Sequence, residues 1–192
     1  PGFGEKRDYT TLSRDEIVQI VKEAGIVGLG GAGFPTSVKL CPKEVDKIDM
    51  FLVNAAECEP YLTSDYRDML EVPDKLISGI KVVLSLFPNA KGKICIEDNK
   101  PEAIRVLEER VKNEKNIEVL PLRTRYPQGG ERQLIYAATG RKVNSSMLPA
   151  DAGVLVDNVD TVVSIYEAVC ESKPLVRRIL TVTGDAVQNP GN

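Results

Sequence analysis

The chain has 192 residues, 42% of them hydrophobic and 5% aromatic, with 25 Lys and Arg against 28 Asp and Glu. A chain of this size and composition holds a core of its own, its net charge of −3 without a basic run argues against nucleic acid as a partner, and no apolar run is long enough to span a bilayer. Histidine is absent, which excludes every mechanism built on imidazole, and Cys41, Cys58, Cys95 and Cys170 form no CxxC pair, so no metal centre or dithiol is expected and the scattered thiols suit a reducing compartment.

The first element is a helix over 13–24. Ser13-Arg14-Asp15-Glu16 is a capping box, Ile17, Ile20, Val21 and Ala24 form one apolar stripe, and Gly25 stands where a left-handed cap is wanted. A glycine-rich stretch follows, with Gly25, Gly28, Gly30, Gly31 and Gly33. Pro35 opens a short helical turn carrying Lys39, and Pro42 stops it. The pattern then alternates. A strand is predicted at 51–53 and a helix at 73–87, with Leu76, Ile77, Ile80, Val83, Leu84 and Phe87 inward. A second strand follows at 94–96, then a helix capped by Asn99 from Pro101 to about 112, and a third strand at 117–120. Helices at 130–138 and 158–170 are separated by a loop through Pro149, and 175–183 reads as a further strand. This order predicts an α/β fold: a Rossmann-like three-layer domain with right-handed βαβ units and a parallel sheet, the glycine-rich loop coming after the first helix. Ligands of such sheets sit at the carboxyl ends of the strands. Pro1 in place of Met, and the turn-rich end with Gly184, Asn189, Pro190, Gly191 and Asn192, read as a piece of something longer.

Four segments carry chemistry. Glycines at 28–33 let backbone amides approach a ligand, and amides before a helix start make an anion cradle. The loop lacks the Gly-Lys-Ser/Thr of a P-loop and follows a helix, so it is neither that motif nor the dinucleotide fingerprint; the plain alternative is a tight connection. Asn54-Ala55-Ala56-Glu57-Cys58-Glu59-Pro60 directly follows the first strand, with Glu57 and Glu59 two apart. These carboxylates can grip hydroxyl or N–H donors, bind a metal, or simply form a solvated turn. Tyr126-Pro127-Gln128-Gly129-Gly130-Glu131-Arg132 joins a loop to a helix, and Val156-Asp157-Asn158-Val159-Asp160-Thr161 opens the last helix, with an ordinary N-cap as its alternative. Together they point to one extended, phosphate-bearing ligand such as a flavin or a nucleotide.

These residues also resemble a known family. Gly28-Leu29-Gly30-Gly31-Ala32-Gly33-Phe34-Pro35-Thr36, followed by Lys39, resembles the glycine-rich flavin loop of the NADH-binding flavoprotein subunit of respiratory complex I. The other three segments resemble that family's remaining site segments, in the same order. Ala56-Glu57-Cys58-Glu59-Pro60-Tyr61 and the run from Tyr126 to Gln133 are similar in wording to the C-subunit family of Rnf ion-translocating electron transport complexes. The resemblance implies noncovalent FMN reduced by NADH, with no protein acid or base in the hydride step. It assigns Gly28, Gly30, Gly31, Gly33 and Lys39 to the phosphate and flavin edge, and Asn54 and Glu57 to the flavin. Tyr126, Gly129, Gly130 and Glu131 would border flavin and dinucleotide, and Asp157, Asn158 and Thr161 would meet the ribityl phosphate. Phe34 and Glu59, with Glu131, would take NADH. It further implies an FMN/NADH domain over 1–174, the opening of a β-grasp domain at 175–192, and [4Fe–4S] clusters in a part not present here. The partners would be other subunits of a membrane electron transport complex, on the cytoplasmic face of the cell membrane. The chain departs from the complex I pattern at Leu29, Ala56 and Gly130. The departures leave two alternatives: an FMN-binding electron carrier that does not use NADH, such as a partner of an amino-acid reductase, or a non-catalytic scaffold.

Overall fold

The structure is a computed structural model that describes residues 2–191; the terminal Pro1 and Asn192 of the expected domain bounds lie outside the described residues. Helix α1 (Arg14–Glu23) forms as its capping box dictates: Ser13 Oγ accepts from the Glu16 amide at 3.3 Å, and Glu16 Oε2 accepts from the Ser13 amide at 2.8 Å. Its stripe buries Ile17 and Val21, and Gly25 closes it with a φ of +70°. After the glycine-rich loop comes the single turn α2 (Thr36–Lys39), then β1 (Met50–Ala55), α3 (Ser64–Glu71), α4 (Pro73–Ser85), β2 (Lys91–Glu97) and α5 (Pro101–Val111). The chain continues with β3 (Ile117–Leu122), α6 (Glu131–Thr139), β4 (Val154–Asn158) and α7 (Val159–Glu171).

All four strands are parallel, in the order β3-β2-β1-β4. A parallel sheet is covered on both faces, so its strands are apolar on both sides. Phe51, Val53 and Ala55 of β1 join Ile94, Ile96 and Leu155 in the larger core with α1, α4, α5 and α7. Leu52, Cys95, Val154 and Val156 face the other way, into a second core with Leu134, Ile135 and Ala138 of α6. This split follows from handedness. The chain moves outward from β1 to β3 with its helices on one face; when it returns to the far side of β1, a right-handed crossover must run over the opposite face, and that crossover is α6.

Helices α4 and α7 approach most closely at Gly79, where an added Cβ would lie 2.3 Å from the Val162 carbonyl oxygen. The neighbour is backbone and cannot swing away, so Gly79→Ala is expected to cost about 1–3 kcal/mol by overpacking. Urea denaturation measures this, and a loss below about 0.5 kcal/mol would contradict the contact.

Three expectations are corrected. The run 175–183 forms no strand: a strand needs a partner, and the pairing found here among the described residues is an isolated bridge between Val182 and Gly191. The Leu175 amide instead donates to the Ala24 carbonyl at 2.9 Å. Helix α5 is preceded by Lys100 without a side-chain cap, and Asn99 uses its amide on Thr124 Oγ1. Residues 156–158, expected to open the last helix, are the end of β4, and only Asn158 caps α7. Among the described residues no helix is long and apolar enough to cross a membrane.

Candidate functional site

The ends of β1 and β4 make a floor. Asn54 pairs in register with Asn158, and Val53 with Asp157, so two of the expected segments lie one strand spacing apart. The strand order also reverses here, because β1 feeds outward and β4 returns on its other side. The helices that follow β1 and β4 share one face of the sheet, and ligands of such sheets usually sit in the crevice outside these carboxyl ends.

The glycine loop lies across the end of β4. The Leu29 amide donates to Thr161 Oγ1 at 2.9 Å, and a Cβ on Gly30 would sit 3.3 Å from Asn158 Cβ. The Gly28 amide donates to the Phe34 carbonyl at 2.8 Å and the Gly33 amide to the Gly28 carbonyl at 3.1 Å, which closes the loop at its base. Gly31 and Gly33 turn it with φ of +118° and +62°, values that side chains tolerate poorly. Among the described residues, the amides of Gly30, Gly31 and Ala32 have no acceptor. Three successive unpaired amides beside the start of a long helix offer an anion concentrated positive potential.

The segment before α6 closes the other side. Asn54 Nδ2 donates to the Gly129 carbonyl at 2.8 Å, and the Gly129 amide donates to Cys58 Sγ at 3.4 Å. A Cβ on Gly129 would lie 2.4 Å from the Ala56 carbonyl oxygen, so only glycine allows this approach. Tyr126 donates its hydroxyl to Glu59 Oε1 at 3.1 Å, Gly130 is the N-cap of α6, and Glu131 is its first residue.

Two expected ligand groups are engaged within the protein. Lys39 Nζ sits 2.9 Å from Asp157 Oδ1 and 2.5 Å from the Val156 carbonyl. Asp157 is 2% exposed and its Oδ2 has no partner; burial pushes its carboxyl up, against the pull of Lys39. A buried carboxylate needs a counter-ion, and Lys39 supplies it. Glu57 turns toward α3. Its Oε1 accepts from the Asp65 amide at 3.1 Å and the Ser64 hydroxyl at 3.4 Å, and its Oε2 from the Tyr66 amide at 3.4 Å, so it caps that helix from outside. Phe34 and Ala32 share a cleft of 650 Å³ with Lys39, Glu131, Leu148 and Val156, a volume that suits a nucleotide-sized molecule.

Sequence reasoning missed Asp65 and Cys58 as site residues. Asp65 Oδ2 accepts from Asn158 Nδ2 at 2.6 Å. Burial, then the neighbouring Glu57, push its carboxyl up to about 8, against the Asn158 hydrogen bond. The run Thr63-Ser64-Asp65 is a helix-start signature and was the available signal. Because Asp65 keeps its proton in the folded state and loses it in the unfolded chain, it makes stability fall as pH rises from about 4 toward 8. Asp65→Asn keeps an acceptor for Asn158. It is expected to stabilise the fold by about 1–3 kcal/mol at pH above 8 and to change it little near pH 4. Thermal melts across that range check this; an equal effect at both ends would contradict it.

Residues 21–167 match the family described as the Nuo51 FMN-binding domain. The chain belongs to that family. It is 46% identical over 191 residues to the C-subunit of the proton-translocating ferredoxin:NAD(+) oxidoreductase complex of Clostridium ljungdahlii. It is 49% identical over 187 residues to the C-subunit of the Na(+)-translocating ferredoxin:NAD(+) oxidoreductase complex of Acetobacterium woodii. The match covers 100% and 96% of this chain but 42% of each relative, so the chain spans less than half of their length. Among solved structures, the NAD+-reducing [NiFe]-hydrogenase in its air-oxidised and H2-reduced states superposes with a TM-score of 0.69 at 26% identity. That superposition covers 82% of this chain and 30% or 31% of the other. For the Nuo51 FMN-binding domain, the group to be held is a phosphorylated flavin, and the residues here fit it. The unpaired amides of Gly30, Gly31 and Ala32 suit a phosphate, and the orphaned Asp157 Oδ2 suits a hydroxyl donor.

Proposed function

We propose that the chain is the FMN-carrying, NADH-oxidising module of a membrane-associated, ion-translocating ferredoxin:NAD+ oxidoreductase complex. The observation that carries this reading is the convergence of the glycine loop, the Asn54 segment, the Gly129 segment and the β4–α7 junction on one crevice. When bound, FMN supplies the redox chemistry, accepting hydride from NADH and passing electrons onward. The protein's own task is alignment and electrostatics. The loop amides, beside the start of α7, take the phosphate. Asn54 and Gly129 fix one wall, and Phe34, Glu59 and Glu131 stand where the dinucleotide enters. Lys39 keeps the floor intact by neutralising Asp157. In this reading the electrons leave through [4Fe–4S] clusters carried by the rest of the longer protein, whose next domain begins near residue 175. The module docks to its partner subunits at the cytoplasmic face of the membrane.

A second reading, an FMN-binding electron carrier that does not use NADH, draws on Glu59 being occupied by Tyr126 and on Ala56 offering no carboxylate. Anaerobic stopped-flow mixing of the FMN-loaded chain with NADH separates the two. Prompt loss of the yellow flavin band is expected; a band that persists with FMN still bound would leave only the second reading.

A further inference from the structure

The segment after α7 reaches back to the glycine loop. The Leu175 amide donates to the Ala24 carbonyl at 2.9 Å, just before the loop opens. Three residues on, Arg178 Nη2 donates to the Leu29 carbonyl at 2.8 Å, across 149 residues of sequence. Leu29 is therefore held from both sides, its amide by Thr161 Oγ1 at 2.9 Å and its carbonyl by Arg178.

This matters because of peptide planarity. The Leu29 carbonyl and the Gly30 amide belong to one rigid trans peptide and point in opposite directions. Whatever fixes the carbonyl fixes the direction of the Gly30 N–H, the first of the three unpaired amides. A peptide followed by glycine has little steric resistance to turning over, so an unheld Leu29–Gly30 peptide would divide its time between orientations. We propose that Arg178 is a positioning residue for the anion cradle, holding the Leu29 carbonyl outward so that the Gly30 amide faces the crevice. The proposal rests on the reading of that cradle as the FMN phosphate site.

Arg178 also lies near Asp160, whose carboxyl is raised by burial and eased by this arginine, so the hydrogen bond must be separated from simple charge. Arg177 provides the control: it is the adjacent cation, it approaches Glu167 at 3.5 Å, and it does not hold Leu29. Arg178 is exposed, so its removal should leave the melting temperature within about 2 °C.

The experiment measures FMN affinity, and hydrogen exchange at the Leu29 amide in the flavin-free chain, for the unaltered protein and for Arg178→Ala, Arg178→Lys and Arg177→Ala. Arg178→Ala should weaken FMN about tenfold and speed Leu29 exchange, because one charge-assisted bond to the loop is lost. Arg178→Lys, which still carries a donor, should recover most of both, and Arg177→Ala should change affinity less than about twofold. Equal weakening by Arg177→Ala and Arg178→Ala would reduce the effect to charge and overturn the proposal, as would unchanged affinity in Arg178→Ala. If the unaltered chain bound no FMN, the flavin reading would fail; Leu29 exchange would then decide the clamp alone, and unchanged exchange in Arg178→Ala would overturn it.

Discussion

Gly129→Ala should lower FMN affinity by about tenfold or more, the equivalent of an overpacking penalty of about 1–3 kcal/mol borne by the wall of the site. The added methyl would sit 2.4 Å from the Ala56 carbonyl oxygen, and backbone cannot yield as a side chain can. Either the segment after β1 or the one before α6 must retreat. The hydrogen bonds from Asn54 Nδ2 to the Gly129 carbonyl and from the Gly129 amide to Cys58 Sγ would go with it. The adjacent Gly130→Ala is the control. Gly130 has φ −60° and ψ 124°, open to any residue, and its Cβ would meet the Pro127 carbonyl oxygen at 3.2 Å, a contact that small shifts relieve. It should cost less than about fivefold. Flavin fluorescence titration measures both; equal losses would show that the close approach at Gly129 is not what shapes the wall.

Lys39→Met should destabilise the fold by about 2–4 kcal/mol at pH 8, a drop of roughly 5–15 °C in melting temperature. The substitution keeps the length of the stem but strands Asp157, whose side chain is 1% exposed and whose Oδ2 already lacks a partner. Lys39 is 21% exposed, so the cost falls below that of a fully buried pair. The pH dependence has a definite sign. The Asp157 carboxyl is raised by burial even with Lys39 beside it, and losing Lys39 raises it further. At pH 5 the stranded group takes up a proton and most of the penalty disappears, so the variant's deficit should shrink as pH falls. Adding Asp157→Asn should recover much of the loss at pH 8. A deficit independent of pH, or one untouched by the second substitution, would contradict the account.

Features whose causes are local were legible in the sequence. The capping box at Ser13 and Glu16, the left-handed cap at Gly25 and the Pro73 helix start each act within one turn, and each appears as read. The α/β alternation was legible for the same reason, since apolar runs of strand length bounded by polar turns have few other outcomes. Strand β4 was not legible as a strand. Val154-Leu155-Val156 is a short apolar run that passes into α7 through Asp157 and Asn158 with no intervening loop, so no turn marks where the strand ends. Helix α3 had only the Thr63-Ser64-Asp65 start as a local cue, because the group that caps it, Glu57, lies seven residues upstream of Ser64. The strand expected at 175–183 failed because pairing, not composition, makes a strand.

The site divides along the same line. Gly31 and Gly33 stood out because a positive φ has its reason within the loop itself, whereas the neighbours that require glycine at 129 lie more than 70 residues away in sequence. The partners of Lys39, Asn158 and Leu29 did not stand out, because Lys39–Asp157, Asn158–Asp65 and Leu29–Arg178 join residues 118, 93 and 149 apart. The sequence singled out the four segments; only the fold gave Lys39 and Glu57 their partners inside the protein.

The most direct test of the central claim compares FMN with riboflavin, which has the same ring and ribityl chain without the phosphate. If the amides of Gly30, Gly31 and Ala32 hold a phosphate, the chain should bind FMN with one site and riboflavin at least about 30-fold more weakly, the worth of charge-assisted hydrogen bonds. Equal binding of the two, or no binding of FMN, would contradict it.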